Sequence, residues 1–160
     1  MNKALYILFL FVISVSMSKA DNVDCGYFYK TLKSFPHTEI KHTQGKFKSA
    51  WDRKELTGCE VFYKSTEKLL SGEKKFPDFR ATEGSDLFKD GWYVDYNFDA
   101  DGPGSSLHGI RKGNILCKIL YDQDAYLDEN TNEIIQSEII TTTVRCSKDH
   151  SYNKLPRPTQ

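Results

Sequence analysis

Two stretches decide the fold: NILCKILY at residues 114–121 and SEIITTTVRC at residues 137–146. Both are rich in β-branched or aromatic residues, the composition that suits a pleated, half-buried surface. Between them lies Asp128-Glu129-Asn130-Thr131-Asn132, a cluster of residues that favour turns. With the two strands antiparallel and Cys117 opposite Cys146, Ile119 faces Val144 and Tyr121 faces Thr142. The midpoint of that register falls between Thr131 and Asn132, inside the turn signal. A slip of one residue would turn every side chain to the wrong face, so the agreement of pattern and turn favours this pairing. It predicts a Cys117–Cys146 bridge and leaves Cys25 for Cys59, tying the N-terminal segment to the first strand.

Upstream, EVFYKST (60–66) reads as a strand following Gly58-Cys59, with both faces covered because Val61, Phe62 and Tyr63 are consecutive. EKLL (67–70) starts a short helix that Gly72 closes, and a second helix is expected near residues 84–90. Gly91 suits its end, since glycine adopts the left-handed cap without strain. WYVDYNFD (92–99) alternates with period two, which predicts a strand with Trp92, Val94, Tyr96 and Phe98 inward and Tyr93, Asp95, Asn97 and Asp99 outward. ADGPG (100–104) is a turn, residues 106–111 form a short strand, and Lys112-Gly113 leads tightly into the strand at 114, giving a meander. Residues 21–50 are polar and lysine-rich and read as a mostly irregular or short helical lead-in, while LPRPTQ (155–160) reads as an unstructured tail. The expected class is α+β: a small antiparallel sheet of about five strands, one or two short helices on one face, and two disulfides. The expected segments are an export signal at 1–20, a lead-in at 21–57, the α+β domain at 58–148 and a tail at 149–160.

The amino terminus supplies the address. Lys3 precedes the apolar run ALYILFLFVISV (4–15), and Ser18-Lys19-Ala20 places small residues at the expected cut before Asp21. The run is too short to span a bilayer, so no stable membrane insertion is expected after cleavage. Cys25 lies four residues past the cut, which argues against a lipid anchor there. Without Lys3 and Lys19 the chain keeps 20 basic against 22 acidic residues. A strongly basic nucleic-acid binder is thereby excluded. Four cysteines, an even number, in a secreted or periplasmic chain predict two bridges, and no C-x-x-C pair points to zinc. At 160 residues with 13% aromatics the chain suffices for one domain with a modest core.

Several residues invite a chemical reading. Asn97, Asp99, Asp101 and Gly102 resemble the opening of a calcium loop, where oxygen ligands alternate. The position that should hold a bidentate glutamate is His108, so hairpin chemistry is the better reading and the three residues are only a weak metal candidate. Asp122, Asp124, Asp128, Glu129 and Glu133 read as a solvated acidic loop. His37, His42, His108 and His150 form no H-E-x-x-H, and Ser105-Ser106 forms no G-x-S-x-G. No catalytic residue or cofactor is therefore assigned. Trp92, Tyr93, Asp95, Asp99, Asp101 and His108 stand as binding candidates, since tyrosine and tryptophan are enriched at contact surfaces.

The run from Gly58-Cys59-Glu60-Val61 through GWYVDYNFDADGPGSSLHGIRKGNILCKI (91–119) to Cys146 resembles a family of small exported bacterial proteins and lipoproteins. The shared features are the early G-C strand, the G-W opening, the A-D-G-P turn (ADGPGS here, against A-D-G-P-x-G in the family), the R-K-G-x-x-x-C strand, the acidic loop and the closing cysteine. The resemblance implies export and a common domain, with no assigned activity. Members often carry a lipid-anchor cysteine at the signal cut; its absence here implies a soluble form. The combined expectation is an exported, disulfide-stabilised, non-catalytic binding protein, inhibitor-like in size, whose partner is an unknown protein or envelope component. The alternative is a cation-dependent enzyme or hydrolase built on Asp99, Asp101 and His108.

Overall fold

The computed structural model describes residues 23–48, 54–71, 76–102, 104–123, 125–128 and 130–149. The export signal at 1–20, Gly72 and the tail at 155–160 lie outside the described residues. The elements are α1 (Gly26–Lys33), β1 (Glu39–Lys48), β2 (Glu55–Thr66), α2 (Glu67–Leu70), α3 (Asp86–Lys89), β3 (Tyr93–Val94), a 3-10 turn at Tyr96–Phe98, β4 (Ala100–Gly102), β5 (Ser105–Lys112), β6 (Ile115–Asp122), β7 (Ala125–Asp128), β8 (Glu133–Gln136) and β9 (Ile139–Lys148). The main sheet runs β1-β2-β9-β6-β5-β3, with β4 also on β5, and β7-β8 form a separate two-stranded ladder. Every pairing is antiparallel. The class is α+β with two disulfides, but the sheet has seven strands rather than about five.

The β6–β9 register is the one the sequence predicts: Cys117 opposite Cys146, Ile119 opposite Val144, Tyr121 opposite Thr142. Burial explains its uniqueness, because Cys117, Ile119, Val144 and Cys146 are all fully buried on one face. The connection is more than a turn. Residues 125–136 extend the hairpin into β7 and β8, with Asp128 opposite Glu133 and Asn132 at φ +57°, a conformation asparagine tolerates better than most residues. On its other side β9 pairs with β2, so that Cys59 also stands opposite Cys146. The last strand thus occupies the middle of the sheet.

The lead-in is not mostly irregular. It holds α1 and the ten-residue β1, which pairs along β2 from Glu39–Lys64 to Lys48–Glu55. β1 escapes a pattern reading because it is an edge strand whose residues 41–44 are all exposed, so it shows no apolar alternation; its partner strand dictates its conformation. β2 itself begins at Glu55, five residues before the expected start. Glycine is required at its Gly58, where a Cβ would stand 1.9 Å from the carbonyl oxygen of Cys146.

The stretch at 92–99 is also corrected. Only Tyr93–Val94 is strand, and a 3-10 turn follows. Asp95, expected outward, is buried, while Tyr96, expected inward, is 79% exposed. The cause lies on β5: Arg111 Nε and Nη2 donate to Asp95 Oδ2 at 2.9 and 2.7 Å. Asp95 Oδ1 accepts from the Asn97 backbone N–H at 3.2 Å and fixes the turn. A buried carboxylate needs such partners, and finding them ends the alternation after Val94.

The core lies on one face of the sheet. α1 buries Phe28 and Leu32 against Val61, Tyr63, Ile110, Ile119 and Val144, with Phe79 and Ala81 from the segment before α3. Phe79 and Trp92 both meet Phe28 edge to face, with centroids 5.3 and 6.2 Å away. The helix near residues 84–90 forms as α3 and ends as expected. Gly91, at φ +83°, donates to the Phe88 carbonyl, and the Trp92 N–H reaches back to the Leu87 carbonyl; these two bonds satisfy carbonyls that a helix end leaves open. Both bridges lie in this core: Cys25–Cys59 joins the residue before α1 to β2, and Cys117–Cys146 crosses β6 and β9. Among the described residues no helix is long and apolar enough to cross a membrane.

Candidate functional site

The sequence candidates part into three places. Trp92 belongs to the core through Phe28, and Tyr93 is half-buried opposite Arg111. Asp95 belongs to an ion cluster in which Arg111, 1% exposed, also donates from Nη2 to Asp149 Oδ2 at 2.8 Å. Asn97 turns its amide to the same carboxylate, donating from Nδ2 to Asp95 Oδ1 at 2.9 Å. This cluster fastens the turn at 96–98 to β5 and is structural in its geometry.

Asp99 and His108 do meet. The β4–β5 hairpin folds back with Gly104 at φ +77°, and this brings His108 Nδ1 to donate to Asp99 Oδ1 at 2.6 Å. His108 is 8% exposed, and its ring lies 5.8 Å from that of Tyr121. The Tyr121 hydroxyl donates to the Pro77 carbonyl at 3.3 Å and accepts from the Phe79 N–H at 3.1 Å. Burial pushes its pKa up to about 12. The hydroxyl therefore stays protonated at ordinary pH and braces the segment crossing the sheet.

On that segment Arg80 grips Asp78 with Nε at 3.0 Å and Nη2 at 2.8 Å. The hydrogen bonds from Arg80 hold the Asp78 carboxyl below its usual range, and His108 adds to the effect. Sequence reasoning missed Asp78, Arg80 and Tyr121 as neighbours of His108. Nothing in FPDFR (76–80) marks it as a partner of strands thirty and forty residues away.

Asp101 stands opposite Ser106. It lines an open groove of about 430 Å³ with Ser105, Tyr121, Asp122, Gln123 and Ile140. The β7–β8 hairpin is the excursion of the chain between β6 and β9. Gln123 secures its base, donating from Nε2 to the Ser137 carbonyl at 2.9 Å and to Glu67 Oε1 at 2.7 Å. Ile134 is 65% exposed, and Ile135 and Ile139 are each 37% exposed. Isolated exposed isoleucines are ordinary; here three lie within six residues, on or next to a hairpin whose base is held by the groove residue Gln123.

The three residues expected as a weak cation site have other surroundings in the structure. Asn97 is turned to Asp95, Asp99 to His108, and Asp101 to the groove. Among the described residues the one group of three ligand atoms within 4.8 Å of one another is Cys25, Cys59 and Cys146, whose sulfurs are already bonded in the two bridges. No family model, curated protein or solved structure matches the chain.

Proposed function

We propose that the protein is an exported, non-catalytic binding module whose contact surface is the β7–β8 hairpin with the groove beneath it. The observation that carries this reading is the exposure of Ile134, Ile135 and Ile139 on and next to a hairpin whose base is held by Gln123, a residue of the groove that Asp101 and Asp122 line. Apolar side chains left in water gain by being covered, and neighbouring carboxylates select a basic partner over an acidic one. The partner is a protein or envelope component presenting apolar and cationic groups together. Two buried bridges and the signal-like amino terminus support export.

The test is capture from the envelope fraction of the source cells, with wild type and an Ile134→Asp/Ile135→Asp variant as baits. A species retained by wild type and lost with the variant is expected. Equal retention by both, or no wild-type-specific species, overturns the reading. A second reading, an enzyme using Asp99 and His108 with Asp101, is favoured by the 2.6 Å bond between the first two. Its cation-dependent form requires the melting midpoint to rise in millimolar calcium, because a ligand bound only to the folded state stabilises it. An unchanged midpoint removes it.

A further inference from the structure

The sulfur atoms are arranged for more than two fixed bridges. Cys59, Cys146 and Cys117 form one row across β2, β9 and β6, with Cys146 directly opposite both others. The sulfurs of Cys25, Cys59 and Cys146 lie within 4.8 Å of one another, and all four cysteines are fully buried. Cys146 thus has two cross-strand cysteine neighbours and is bonded to one, Cys117. Directly opposed antiparallel residues have Cα atoms about 4.5–5.5 Å apart, inside the span a disulfide bridges. The β2–β9 ladder therefore already holds the backbone geometry for a Cys59–Cys146 bond.

We infer that the four cysteines form an exchange relay: reduction of either native bridge by a dithiol converges on one singly reduced form, with a Cys59–Cys146 bridge and thiols at Cys25 and Cys117. When the dithiol attacks Cys117, Cys146 leaves as thiolate and attacks Cys59. The Cys59–Cys146 bond forms, the Cys25–Cys59 bond breaks, and Cys25 leaves. When the dithiol attacks Cys25 instead, Cys59 leaves as thiolate, attacks Cys146 and expels Cys117. In both routes the second thiol of the reductant resolves its mixed disulfide. The dithiol gives up two electrons and two protons and ends as its own disulfide; the protein ends with two protonated thiols and one bridge. An external thiol reaches these buried sulfurs only through local opening, whereas the internal attacker is already beside its target. The product keeps β2 and β9 stapled and unhooks α1, whose Phe28 and Leu32 cover the sheet, from its covalent tie to β2. The fold thereby carries a redox-sensitive release of one helix.

The experiment treats the wild-type protein with limiting dithiothreitol, quenches in acid, alkylates and maps peptides by mass. The expected signature is a peptide pair linked through Cys59 and Cys146, with Cys25 and Cys117 alkylated, as the main singly reduced species. Singly reduced molecules alkylated only at Cys25 with Cys59, or only at Cys117 with Cys146, overturn the relay. A Cys117→Ser variant prepared without reductant gives a second readout: label shared between Cys25 and Cys146 is expected, and label on Cys146 alone refutes it.

Discussion

Replacing Asp95 by alanine removes the carboxylate that accepts two of the hydrogen bonds donated by Arg111. Arg111 is 1% exposed and Asp95 6% exposed, so water cannot take over. Breaking a buried ion pair by deleting one partner costs about 3–5 kcal/mol, mostly because the other charge stays desolvated. Two features move the figure in opposite senses. Asp149 still accepts from Nη2 at 2.8 Å, which softens the loss, while the turn at Tyr96–Phe98 loses the side-chain acceptor for the Asn97 N–H. The expected loss for Asp95→Ala is therefore about 3 kcal/mol. It is measured by urea unfolding with both bridges intact, following tryptophan fluorescence. Asp90→Ala, which breaks the exposed Lys112–Asp90 pair at 2.9 Å, is the control and should leave the midpoint unchanged. On an Arg111→Met background the Asp95→Ala change should cost much less, since the stranded charge is gone. A loss below about 1 kcal/mol, or the same loss with and without Arg111, refutes the account of why residues 92–99 abandon their strand pattern.

Three further outcomes are expected of the same fold. The Tyr121 pKa, raised to about 12 by burial, means the folded state holds its proton more tightly than the unfolded chain. Its contribution is complete below about pH 10 and is lost as pH rises toward 12, on the order of 2 kcal/mol in all; denaturation series on wild type and Tyr121→Phe should converge over that window, and parallel curves would refute the shift. Gly58→Ala sets a Cβ 1.9 Å from the Cys146 carbonyl oxygen and should cost about 3 kcal/mol or more by parting β2 from β9, read as a fall in melting midpoint; a neutral variant would show that the strands are not so close. Cys25→Ser/Cys59→Ser opens a bridge of sequence separation 34 and should cost about 3–4 kcal/mol in guanidinium unfolding, with no loss sinking the claim that this bridge holds α1 in place.

What was legible in the sequence depended on whether burial wrote a pattern. At 114–146 it did, and the turn residues agreed with the cysteines, so the register of β6 and β9 could be read before any coordinates. β1 wrote none: residues 41–44 face water, and only pairing with β2 makes them a strand. WYVDYNFD wrote a misleading pattern, because a charged residue took the inward position once Arg111 offered its guanidinium from sixteen residues away. The candidate site shows the same divide. Asp99 and His108 stood out as reactive residue types, and the hairpin between them could be read from its glycines. Their neighbours Asp78, Arg80 and Tyr121 could not, since a contact between an irregular segment and a distant strand leaves no periodic trace. Ile134 and Ile135 of β8 fall between the turn signal and the strand read at 137–146, and nothing in their composition marks them as exposed residues of a ladder apart from the main sheet.

The place of β9 between β2 and β6 has a consequence for biogenesis. β9 follows every other strand of the main sheet in chain order, so β1 with β2 on one side, and β5 with β6 on the other, remain half-sheets without a seam until Lys148 has emerged. The two halves are joined in a single late step, by one strand that supplies both missing edges.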